Sequence, residues 1–152
     1  GDQARSGNLE GAGQCYNPPM WPFGDKAKKR RVLLVDDDVN TRTMIGMFFG
    51  EIGWDVAEAS NGREGVDAAV SDPPDLIVLD CDMPVMTGPD ALVLLHKNPK
   101  TAAVPVLMVT ARGTLDDVEA CLSRGATDFV QKPLDLKRFM EKVEKIVPAP
   151  KP

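Results

Sequence analysis

Between residues 32 and 146 the chain alternates five times between a short apolar run and a longer amphipathic segment, which leaves few folds open to it. The runs are Val32 to Val35, Val56 to Ala59, Leu76 to Leu79, Val106 to Val109 and Asp128 to Gln131, the last being the weakest. Such short runs suit strands that are apolar on both faces. The segments between them repeat apolar residues at three and four positions, as helices do: Met44, Ile45, Phe48 and Ile52; Leu115, Val118 and Leu122; Leu136, Phe139, Met140 and Val143. Gly53 and Gly125 stand where helices end, and Asn61 with Glu64 and Thr114 with Asp117 resemble capping pairs. The expected fold is a five-stranded doubly wound α/β domain, its parallel sheet covered by helices on both faces.

In an open sheet of this kind a ligand binds outside the carboxyl ends of the strands. The residues at those ends are Asp36, Asp37 and Asp38 after the first run, Asp80 and Asp82 after the third, Thr110 and Ala111 after the fourth, and Lys132 and Pro133 after the fifth. The second run ends in Ala59-Ser60-Asn61-Gly62, which is turn chemistry. Converging carboxylates repel one another and raise each other's pKa values unless a cation neutralises them. Hard oxygen ligands suit Mg²⁺, which takes one or two carboxylates and completes its shell with water and phosphate oxygens, and Lys132 could hold a phosphoryl oxygen. Asp38 is expected instead to cap the following helix.

Composition narrows the classes further. A chain of 152 residues has room for one ordinary domain with a real core. Its net charge of -5, with scattered basic residues, disfavours direct binding of nucleic acid. No window approaches the roughly eighteen apolar residues of a membrane span, and no apolar signal segment opens the chain, so a cytoplasmic protein is expected. Cys15, Cys81 and Cys121 are widely spaced with a single histidine, His96, and read as buried or idle thiols beside a surface histidine. Residues 1–27 are rich in Gly and Pro and read as a flexible leader, residues 28–147 as the domain, and residues 148–152 as a tail or linker. The basic run at 28–31 reads as a solvated approach to the first strand. Gly1 in place of Met makes a processed or partial chain the expectation.

Four stretches taken together resemble the signatures of response-regulator receiver domains: LLVDDD at 33–38, LIVLDCDMPVMTG at 76–88, PVLMVTA at 105–111 and DFVQKP at 128–133. The likeness covers about residues 31–147 and is to receivers of two-component signalling, including the single-domain chemotaxis type. It implies a flavodoxin-like sheet of order 2-1-3-4-5 with five helices. It further implies that Asp80 accepts a phosphoryl group from a phosphohistidine on a sensor kinase or phosphotransfer protein. Asp37 and Asp80 would then ligate Mg²⁺ directly, Asp36 through water, and Asp82 through its backbone carbonyl. Lys132, the Thr110 hydroxyl and the Ala111 amide would receive the phosphoryl oxygens. Thr110 and Phe129 would act as a switch, changing a surface of helix 4, strand 5 and helix 5, roughly Thr114 to Ile146, that meets a downstream protein or a second copy. The resemblance also implies a cis peptide at Lys132-Pro133. The Asp82 and Arg112 side chains flank the path of a hydrolytic water and are expected to modulate phosphoryl lifetime. Such a protein is a phosphoacceptor that assists its own phosphorylation and dephosphorylation rather than an enzyme with turnover.

The Asp80-Cys81-Asp82 triplet also fits the DxD of haloacid-dehalogenase-like phosphohydrolases. In that family the DxD follows the first strand and the acidic pair comes late, the reverse of the order found here, and Pro84 stands where Thr or Val is usual.

Overall fold

The computed structural model describes residues 29–111 and 115–148. The leader, all but the first residue of the tail, Arg112 and Thr114 lie outside them. The elements are β1 (Arg31–Val35), α1 (Val39–Glu51), β2 (Asp55–Ala59), α2 (Gly62–Ser71), β3 (Leu76–Asp80), α3 (Gly88–Lys97), β4 (Val106–Thr110), α4 (Leu115–Ser123), β5 (Asp128–Gln131) and α5 (Leu136–Ile146). All strand pairings are parallel, in the order β2-β1-β3-β4-β5. Each expected run is a strand, with Asp80 and Thr110 forming the last residues of β3 and β4.

Alternate residues of each central strand serve opposite layers. Leu33, Val35, Ile77, Leu79, Val106 and Met108 pack with residues of α2, α3 and α4, among them Val66, Leu92 and Cys121. Val32, Leu34, Leu76, Val78, Leu107 and Val109 pack instead with Ile45 and Phe49 of α1 and Phe139 and Val143 of α5. Phe49 and Phe139 are fully buried, with ring centroids 5.9 Å apart in an edge-on arrangement. Each such burial stabilises the fold by roughly 1.5–3 kcal/mol.

The expected two-sided apolar burial fails at the sheet edges. In β2 only Ala59 is buried, and in β5 only Val130, because each edge strand has a neighbour on one side alone. The helix stripes also shift. Met44 and Ile52 of the α1 stripe are exposed, while Phe49, outside it, is buried. Residues 39–52 carry apolar side chains on every side of the helix, so spacing alone does not select the inward face. In α4 the stripe residue Leu122 is exposed and Cys121 is buried, and in α5 Leu136 is exposed.

The local signals below are met, while the Thr114–Asp117 capping pair falls outside the described residues. Gly53 and Gly125 take φ of 89° and 109°, the left-handed conformation that ends a helix without a Cβ penalty. Asn61 caps α2 by accepting from the Glu64 N–H, and Asp38 caps α1 by accepting from the Asn40 N–H. Glu64 reaches back to the Ser60 N–H and hydroxyl rather than to Asn61. His96 is exposed on α3, with its ring against Gly125. The basic run makes specific contacts: Arg31 pairs with Asp72 at 3.0 Å, Lys29 with Asp55 at 3.6 Å, and Arg30 lies over the Trp54 ring.

Candidate functional site

Strand register assembles the site. Val35 pairs with Leu79, so Asp36 and Asp80, each one residue further on, leave adjacent strands at the same level. Asp80 pairs with Val109 and Thr110 with Gln131, which brings Thr110 and Lys132 to the same edge. The Lys132 N–H donates to the Thr110 carbonyl at 2.7 Å and continues that ladder. The Lys132–Pro133 peptide is cis.

Asp36 and Asp80 are 5% and 4% exposed, low for two carboxylates at one strand edge. Lys132 Nζ lies 3.3 Å from Asp36 Oδ2 and 3.5 Å from Asp80 Oδ1, bridging the two. Asp36 also accepts from the Asp38 N–H at 2.9 Å, and Asp80 from the Asp82 amide. One carboxylate oxygen each from Asp36, Asp37 and Asp80 can be chosen so that all three lie within 4.8 Å of one another. Burial and then the neighbouring Asp36 push the Asp80 carboxyl up to about 6, against the pull of Lys132. Burial raises Asp36 too. Burial alone would lower the Lys132 ammonium, but Asp80 and Asp36 outweigh it and hold it above its ordinary value. A lysine shared between two buried carboxylates leaves them under-neutralised, and hard oxygen donors at this spacing could hold a divalent cation.

The loop from β3 to α3 is held tightly beneath Asp80. The Gly88 N–H donates to the Cys81 carbonyl at 3.0 Å. A Cβ at Gly88 would collide with the Asp80 carbonyl oxygen and come within 2.8 Å of Cys81 Cα. Gly88→Ala should therefore destabilise the fold by about 1–3 kcal/mol in urea unfolding, as overpacking does. A variant as stable as wild type would refute that fit. Val85, in the same loop, is 81% exposed with φ of 72°, an unusual conformation for a β-branched residue.

The remaining expected residues distribute as follows. Thr110 is buried and its hydroxyl hydrogen-bonds the Cys81 sulfur, while Ala111 is exposed just past β4. Asp82 is exposed beside the site. Phe129 is half-buried on β5 and packs against the α2–α4 side of the core. Arg112 falls outside the described residues.

Two features had no signal in the spacing. Lys142 of α5 lies 5.4 Å from the Phe129 ring centroid while pairing with Asp128 at 3.1 Å. Cys81 and Cys121, 40 residues apart, bring their sulfurs to 3.8 Å. Burial, with Cys121 adding to it, pushes the Cys81 thiol up to about 12. Only contacts across the fold create these pairs.

An open parallel sheet with three carboxylates, a lysine and a hydroxyl at its carboxyl edge defines a doubly wound α/β domain whose ligand site lies at that edge and whose donors could hold a divalent cation. Comparison with known proteins makes the class specific. The model of the response regulator receiver domain matches residues 32–144, and the chain belongs to that family, the receivers of two-component signalling.

The chain is 33% identical over 117 residues to the DNA-binding dual master transcriptional regulator RpaA of Synechocystis, covering 77% of this chain and 48% of that protein. It is 35% identical over 118 residues to the chemotaxis protein CheY of Thermotoga maritima, covering 77% of this chain and 97% of CheY. It thus spans about half the length of the transcriptional regulators it matches and nearly all of this CheY. Among solved structures, CheY4 of Vibrio cholerae superposes with a TM-score of 0.75 at 27% identity, covering 79% of this chain and all of CheY4. A CheX–CheY–BeF₃–Mg complex from Borrelia burgdorferi gives 0.72 at 31% identity, covering 77% of this chain and 88% of that one. The family matched is that of the receivers rather than the haloacid-dehalogenase-like phosphohydrolases.

Proposed function

We propose that Asp80 is the phosphoacceptor of a two-component relay and takes its phosphoryl group from a phosphohistidine on a sensor kinase or phosphotransfer protein. The observation that carries this reading is the buried Asp80 carboxylate at the end of the central strand, bridged to Asp36 by Lys132. Asp37 and Asp80, with Asp36 through water and the Asp82 carbonyl, are the groups that would hold Mg²⁺. The clustered carboxylate oxygens of Asp36, Asp37 and Asp80, and the raised pKa values of Asp36 and Asp80, fit a divalent ion. Bound there, Mg²⁺ would screen the negative acceptor from the negative phosphoryl group.

The protein's own groups do the positioning. Asp80 presents its carboxylate oxygen for in-line attack, and Lys132, already 3.5 Å away, meets the developing phosphoryl charge. Thr110 leaves the Cys81 sulfur to donate to the phosphoryl oxygens, joined by the Ala111 amide. Phe129 then fills the space that Thr110 gives up, and the surface of α4, β5 and α5 changes for a downstream protein or a second copy. Asp82 and Arg112 tune the lifetime of the acyl phosphate. The receiver unit is residues 28–147, acting in the cytoplasm, whether alone or as part of a larger regulator or hybrid kinase.

Acetyl phosphate or a small phosphoramidate with Mg²⁺ tests this. The expected result is a stable gain of one phosphoryl group, mapped to Asp80 by peptide mass spectrometry. Rapid multiple turnover of a generic phosphoester, with no gain on Asp80, would overturn it in favour of a hydrolase.

A further inference from the structure

Apart from the hydrogen bond between Cys81 and the Thr110 hydroxyl, the sulfur pair beside Asp80 is not used by the proposed function. Cys81 follows β3 directly and Cys121 lies in the second half of α4, yet their sulfurs are 3.8 Å apart. Cys121 is 3% exposed, and Cys81 is half-buried. Both line a cavity of about 250 Å³ between the start of α3 and α4, together with Asp82, Thr110 and Arg124. A disulfide has an S–S bond of about 2.05 Å, so the sulfurs need to close by less than about 2 Å. Cysteines also serve as small apolar residues in cores, which accounts for burial but not for two sulfurs facing each other at the wall of a cavity.

We infer that Cys81 and Cys121 are a reversible dithiol–disulfide pair whose bond latches α4 to the end of β3, beside Asp80. The oxidant is a small disulfide of the glutathione class. The Cys81 sulfur attacks one glutathione sulfur and forms a mixed disulfide in the cavity; the glutathione released carries away the Cys81 proton. Cys121 then attacks the Cys81 sulfur, and the second glutathione leaves with the Cys121 proton. The two protein sulfurs give up one electron each, and one glutathione disulfide becomes two thiols. Cys121 is buried and Cys81 half-buried, so access slows the exchange and the pair is read at equilibrium.

The consequence for signalling rests on the reading of α4 as part of the switched surface. A covalent tie between α4 and the residue next to Asp80 keeps those elements in their unphosphorylated arrangement. The oxidised protein therefore binds a phosphoryl mimic more weakly, and by linkage the mimic protects the thiols from oxidation by the same factor.

The test uses the full chain with Cys15→Ser, which leaves only the two thiols, equilibrated in glutathione redox buffers. Peptide mapping without reductant should find Cys81 joined to Cys121, reversibly with dithiothreitol. Free thiols or mixed glutathione adducts alone would overturn the pair. Calorimetric titration with Mg²⁺ and beryllofluoride should then give binding weaker by roughly fivefold or more in the oxidised form. Cys121→Ser and Cys121→Ala should bind equally with and without oxidant. A mapped disulfide with unchanged beryllofluoride affinity overturns the latch. If the reduced protein also fails to bind beryllofluoride, the receiver reading of Asp80 fails while the mapped bond stands.

Discussion

Asp80→Asn is expected to gain no phosphoryl group from acetyl phosphate and Mg²⁺ under conditions that label the wild type. The loss should be complete rather than partial, because under the proposed function the substituted atom is the nucleophile. Asp80 ends β3, the central strand of five, so β1 supplies Asp36 on one side and β4 supplies Thr110 on the other. Neither neighbouring carboxylate shares that position. Asp36 is committed to the Asp38 amide and to Lys132, and Asp37 is exposed. Intact-mass spectrometry reads the result directly. Undiminished labelling of Asp80→Asn would sink the assignment.

The same substitution should stabilise the metal-free protein at neutral pH. The Asp80 carboxyl, ordinarily near 3.8, is raised to about 6 in the folded state, so between those values the folded protein binds more protons than the unfolded chain. Stability therefore falls as pH rises from about 4 to about 6, and the loss is complete above that window. Converted by linkage, the rise is worth roughly 3 kcal/mol. Asp80→Asn removes this cost and leaves the Lys132–Asp36 pair in place. Urea unfolding with a chelator should find the variant more stable than wild type at pH 7.5, with the difference gone near pH 3.5. Adding Mg²⁺ should narrow the gap at pH 7.5 by stabilising the wild type. A wild type at least as stable as Asp80→Asn in chelator at pH 7.5 would contradict the stated origin of the shift.

Much of this site was legible because its residues follow strands that announce themselves locally. Leu76 to Leu79 is a buried apolar run, and a charge at its end falls at the sheet edge whatever surrounds it. The order of Asp36, Asp80, Thr110 and Lys132 along the chain then matched their order across the sheet. The inward face of α1 was not legible, since apolar residues on every side gave Phe49 no advantage over Met44 until the aromatic cluster with Trp54 and Phe139 selected it. Nor were the Cys81–Cys121 approach or the seat of Lys142 over Phe129, because both join elements that meet only in the folded sheet. The left-handed backbone at Val85 likewise had no local cue, as its residue type argues against it.

One contact made before the first strand has a consequence for wiring. The Arg30 guanidinium donates to the Val147 carbonyl at 3.0 Å and so joins the two ends of the described domain. Both ends therefore meet at the pole of the sheet opposite Asp80, with the length of β1, on the order of 16 Å, in between. Any neighbour tethered at either end starts from that far pole. Under the proposed function, a neighbour so tethered reads the phosphoryl state only by reaching from that pole to the surface of α4, β5 and α5, which makes the span of its linker part of the signal's geometry.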